Sequence, residues 1–107
     1  MEQNKDFIVA QAKIFKALGH PSRLLMVEAL MQQEELCVCD LQSRVGADMS
    51  TISKHLGVLK AAGIVRDSKR GLNVYYSLQL KCLSTFMRCT ADAIRGRLLE
   101  DMKLLGR

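Results

Sequence analysis

Four cysteines carry the most distinctive chemistry in this chain: Cys37, Cys39, Cys82 and Cys89. Thiolates are soft ligands that select soft, thiophilic ions, and the same groups oxidise reversibly to disulfides and related species. Cys37 stands where a helix N-cap would ordinarily hold Ser or Thr. A thiol is a poor substitute for serine there, and a second thiol two residues later singles the pair out. Cys82 and Cys89 share a stripe with Phe86 and Ala93 on a last helix. Free cysteine also serves as a small buried hydrophobe, so these two stand between a packing role and a ligand role. The spacing is not Cys-x-x-Cys, no base sits nearby and no strand–helix redox scaffold surrounds it. A thiol oxidoreductase or metal carrier is therefore disfavoured, and no enzyme is expected.

Bulk composition sets limits on what the thiols serve. The chain has 107 residues, 49% of them hydrophobic, which suits one domain whose small core dimerisation would help. A formal net charge of +5 accommodates a polyanionic partner without demanding one. No window approaches the ~18 uninterrupted apolar residues of a membrane span. Residues 1–6 are polar and hold no signal-peptide core. A cytoplasmic protein is the expectation, with no membrane partner. Thiols there stay reduced, so the cysteines point to metal binding or redox sensing rather than structural disulfides.

The elements that must position these residues follow from periodicity. Phe7, Ile8, Ile14, Phe15 and Leu18 recur at helical spacing and predict a first helix over 6–18. Pro21 suits the opening of a second helix over 21–32, with a core face of Leu24, Leu25, Val27, Leu30 and Met31. A short third helix over 38–45 puts Val38, Leu41 and Val45 on one stripe, behind a capping box of Cys37 and Asp40. Residues 46–48 make a tight turn, and a fourth helix over 49–62 ends at Gly63. The period then changes. Residues 64–68 and 73–78 are β-branched or aromatic runs, joined by a basic tip of Lys69, Arg70, Gly71 and Leu72. A last helix over 81–104 carries Leu83, Met87, Thr90, Ile94 and Leu98 at spacings of three and four. The expected fold is mainly α with a β-hairpin wing, one domain over 1–107 in the order ααααββα.

A short helix, a glycine turn and a second helix compose a helix-turn-helix unit. On the fourth helix Ile52, His55, Leu56 and Leu59 fall on an inward face, which makes His55 a packed histidine rather than a ligand. Ser50, Lys54, Gly57 and Ala61 fall opposite, with Thr51 and Ser53 on the flanks. Short hydroxyls and one lysine can enter a major groove without blocking the backbone's approach. Taken singly they would merely decorate a solvated helix. Followed by the cations Arg66, Lys69 and Arg70, which suit phosphates beside the groove, they read as a DNA surface.

The stretches ALGHPSRLLMVEAL, ELCVCDL, STISKHLGVLKAAGIV and GLNVYYSL resemble the ArsR/SmtB family of winged-helix metalloregulators, with the motifs running from Ala17 to Leu78. The resemblance implies a winged helix-turn-helix repressor of double-stranded operator DNA, homodimeric through its first and last helices and released by an effector. It implies Ser50, Thr51, Ser53 and Lys54 at the DNA, supported by Lys69 and Arg70.

Within that family Cys-Val-Cys-Asp-Leu marks the arsenic-responsive branch, which maps onto Cys37 and Cys39 and implies trivalent arsenic or antimony as effector. The chain departs from the arsenic pattern in one respect: its third cysteine position holds Gln42. The third thiolate would then come from Cys82 or Cys89, within one subunit or across the dimer, or from an exogenous thiol. The family's zinc site on the last helix needs histidine, and 81–105 has none. Its cadmium and lead type adds cysteines near the N-terminus, and none precedes Cys37. Residues two apart on a helix point to nearly opposite sides at ~100° per step. Both thiols can hold one ion only if the first turn of the third helix is open or distorts on binding, and that distortion is the expected switch. The alternative is a repressor that senses oxidants or reactive sulfur through the same cysteines.

Overall fold

The computed structural model describes residues 4–106. The elements are α1 (Asn4–Leu18), α2 (Pro21–Gln32), β1 (Leu36–Cys37), α3 (Val38–Val45), α4 (Met49–Ala61), β2 (Val65–Arg70), β3 (Asn73–Leu78) and α5 (Leu83–Leu104). Local chemistry sets the boundaries. His20 is the extended N-cap of α2, its ring accepting the Ser22 N–H, with Pro21 in the first turn where a missing N–H costs nothing. Gly46 closes α3 at φ 80°, a left-handed conformation that L side chains rarely adopt. Asp48 then caps α4 by accepting the Thr51 N–H.

The three strands form an antiparallel sheet in the order β1-β3-β2. β2 and β3 pair from Val65 opposite Leu78 to Arg70 opposite Asn73, leaving Gly71 and Leu72 as a two-residue turn. Gly71 takes φ 63°, the glycine-first geometry that matches the right-handed twist of a hairpin. Lys69 and Arg70 therefore belong to β2 and not to the tip, because charged residues continue a ladder whose pairing the turn dictates. β1 adds a pairing that periodicity did not predict: Leu36 faces Tyr76 and Cys37 faces Tyr75.

The core is built on α2, which touches α1, α3, α4, α5 and β3. Met26, Val27, Leu41, Ile52, Leu59 and Ile64 are wholly buried in it. Being covered from so many sides, α2 buries Met26 and Ala29 while Leu25, read above as core, is exposed. The apolar stripes of α1 and α5 differ again. Phe7, Ile8 and Phe15 on α1 and Ile94 and Leu98 on α5 all stand more than half exposed. Phe15 meets Phe86 edge-on, with ring centroids 5.8 Å apart, at the border of this open face. Among the described residues no helix is long and apolar enough to cross a membrane.

Candidate DNA interface and thiol sites

The α3–α4 unit is seated by apolar contacts on its inner side and left polar on its outer side. Leu41 from α3 and Ile52, Leu56 and Leu59 from α4 are buried together. Ser50, Ser53, Lys54, Gly57 and Ala61 are exposed, and Thr51 is half-buried. Asp48 organises the first turn: its Oδ1 accepts the Thr51 N–H at 2.8 Å and the Ser50 hydroxyl at 3.2 Å. Those bonds, the Thr51 ones foremost, hold its carboxyl below the usual carboxylate range. Ser50 and Thr51 are thus fixed by a cap that the sequence reading assigned only to a turn.

Behind the helix lies a second network. Arg23 donates from Nε to His55 Nδ1 at 3.1 Å and from Nη1 to the Ala17 carbonyl at 2.9 Å. The His20 and His55 rings lie 4.5 Å apart between centroids. Burial first, then the charges of His20 and Arg23, push His55 below its ordinary value. His55 is therefore a structural histidine linking α4 to the start of α2.

The wing is tied to both its neighbours. Lys60 on α4 pairs with Asp67 on β2 at 3.0 Å. Alternation along β2 sets Asp67 and Lys69 on the face toward α4, and Arg66 and Arg70 on the other. Arg70 lies 4.0 Å over the Tyr75 ring and pairs with Glu35, just before β1. Lys69 and Arg70 are both exposed, but they leave the hairpin on opposite sides.

Cys37 ends β1 and caps α3 with extended backbone at φ −80°, ψ 165°. Its N–H donates to Asp40 Oδ2 at 3.4 Å, one half of the expected capping box. Cys37 is half-buried; Cys39, Cys82 and Cys89 are exposed, and all four thiols are free. Cys82 immediately precedes α5 and Cys89 lies within it. Among the described residues no group of three or more His, Cys, Asp or Glu side chains is gathered where it could hold a metal. Neither Cys82 nor Cys89 is gathered with Cys37 and Cys39 into such a group among the described residues.

The profile of the bacterial regulatory protein, arsR family, matches residues 20–67, which span α2, β1, α3, α4 and the start of β2. An uncharacterised helix-turn-helix regulator of Methanocaldococcus jannaschii is 44% identical over 61% of this chain and 74% of its own length. The arsenical resistance operon repressor of Escherichia coli is 39% identical over 78% of each. The cadmium regulator CadC of Listeria innocua is 43% identical over 61% of this chain, which spans only 55% of that relative. Among solved structures, the Mycobacterium tuberculosis protein Rv0081 superposes with a TM-score of 0.74 at 30% identity, covering 92% of this chain and 97% of that one. A homodimeric winged helix-turn-helix domain from Mycobacterium bovis gives 0.76 at 26%, covering 86% and 88%. The antimony-specific repressor AntR gives 0.71 at 26%, covering 89% and 82%. An exposed polar face on α4, a hairpin wing beside it and these likenesses converge: the chain belongs to the arsR family of winged helix-turn-helix transcriptional regulators and is not an enzyme.

Proposed function

We propose that the protein is a homodimeric repressor that leaves its operator when Cys37 and Cys39, with a third thiolate, bind trivalent arsenic or antimony. The observation that carries this reading is the position of Cys37, at once the last residue of β1 and the N-cap of α3. A ligand there acts on the helix against which α4 packs and on the strand that borders the wing. Because Cys37 is extended, the ~100° rotation per helical residue does not separate it from the first turn. Less opening of that turn then brings the two thiols to one ion.

Ser50, Thr51, Ser53 and Lys54 meet the major groove, and Lys69 and Arg70 the flanking phosphates. The exposed apolar residues of α1 and α5 form the dimer interface, in keeping with the homodimeric relative. A third sulfur comes from Cys82 or Cys89, across the dimer or after rearrangement, or from an external thiol. Relatives named for arsenical and antimony repression and for cadmium resistance all match, so the choice of arsenic or antimony rests on the Cys37 and Cys39 pair. A coupling of ~1–3 kcal/mol between thiol and DNA sites changes affinity about 5–150-fold.

The test is alkylation of fully reduced protein with and without arsenite, read by mass spectrometry, alongside arsenite release from DNA. Cys37 and Cys39 should be protected, and Cys37→Ser or Cys39→Ser should bind DNA yet ignore arsenite. Normal release from both variants removes the proposal. The exposure of Cys39, Cys82 and Cys89 favours one second reading, oxidant or reactive-sulfur sensing. There, peroxide or polysulfide would link a last-helix thiol to Cys37 or Cys39 while arsenite protects neither.

A further inference from the structure

The wing arginine is not idle in the free protein. Arg70 crosses the sheet from β2, stacks on Tyr75 of β3 and ends on the Glu35 carboxylate beside β1. Carboxylate and phosphate present the same paired oxygens to a guanidinium, so one fork cannot serve both fully at once. We propose that Glu35 competes with DNA phosphate for Arg70, so that this carboxylate sets how tightly the protein holds DNA. The inference rests on the DNA-binding reading above.

Three observations support an exchangeable contact. The pair is open to solvent, with side-chain exposures of 53% for Arg70 and 43% for Glu35, and exposed pairs of this kind are weak. Glu35 also lines a polar cleft of about 290 Å³ with Arg66 and Lys81, so it keeps cationic neighbours when Arg70 leaves. Finally, the Tyr75 ring holds the guanidinium by a contact separate from Glu35, at 4.0 Å from its centroid. Glu35 lies two residues before Cys37, and by register both share the sheet face of Tyr75 and Arg70. The competitor therefore sits on the segment that carries the candidate sensing thiol.

Fluorescence anisotropy with a labelled random-sequence duplex isolates the phosphate contribution, which does not depend on base sequence. Glu35→Gln should tighten binding about two- to five-fold at low salt, in line with an exposed pair. That advantage should shrink as salt rises and screens the pair. In an Arg70→Ala background the same substitution should give no gain, and Glu34→Gln, an equal change of charge one residue away, should give less. Unchanged or weaker binding by a folded Glu35→Gln protein overturns the inference, as does a gain that survives Arg70→Ala or is matched by Glu34→Gln. Salt-dependent wild-type binding with any of those results leaves the DNA-binding reading standing. Absence of duplex binding by the wild type at low salt removes both.

Discussion

His20 and His55 both act as acceptors through Nδ1, one from the Ser22 N–H and one from Arg23 Nε. A protonated ring nitrogen cannot accept, so the Arg23 contact needs a neutral His55. With His55 held below the ordinary 6.5, the unfolded chain takes up its proton first as pH falls. Its contribution to stability is complete above about pH 6.5 and declines as pH drops toward the lower folded value. Urea midpoints measured from about pH 7.5 down to about pH 5.5 should fall accordingly. His55→Gln, whose amide oxygen still accepts from Arg23, should lose much of that slope; an unchanged slope assigns the effect elsewhere. Periodicity revealed that His55 faces inward. It could not reveal Arg23 as its partner, 32 residues away in the chain, since that pairing exists only once α2 and α4 are packed.

At the scale of elements, the first turn of α4 depends on Asp48, which fixes Thr51 and Ser50 where the proposed DNA surface begins. Asp48→Ala should weaken DNA binding while leaving the helical circular-dichroism signal nearly intact, and Asp48→Asn, which still accepts a hydrogen bond, should restore most of it. Equal weakening by both would mean that charge, not capping, matters there. Most element boundaries were legible because helical stripes and turn residues agree locally, as for α3 between Cys37 and Gly46. β1 was not legible, because two residues show no period and pair only through contact with β3. The hairpin tip was drawn two residues too wide for a related reason: Lys69 and Arg70 look like loop residues until their partners Val74 and Asn73 are known. Of the candidate site, the polar face of α4 could be read directly from spacing, whereas the anchoring of Arg70 on Glu35 depends on a contact spanning 35 residues.

For the molecule as a whole, the radius of gyration of 16.7 Å exceeds the ~13 Å expected of a compact domain of this length. Its extents of 57 × 43 × 22 Å describe a flat body, with the apolar sides of α1 and α5 open to solvent. Those surfaces have the character of half an interface. Ile94→Glu combined with Leu98→Glu should shift the protein from dimer to monomer in sedimentation velocity and weaken DNA binding, since two linked recognition helices bind with higher effective concentration than one. A double variant that still sediments as a dimer would place the interface elsewhere.

The two residues of β1 also constrain anyone who would rebuild this scaffold as a biosensor. Leu36 and Cys37 complete the sheet, and Val38 begins the helix with no spacer between them. One inserted or deleted residue would either slip the strand register, turning position 37 to the opposite face, or rotate α3 by ~100° beneath α4. The chemistry at position 37 can therefore be exchanged for another ligand, but its address in the chain cannot be moved.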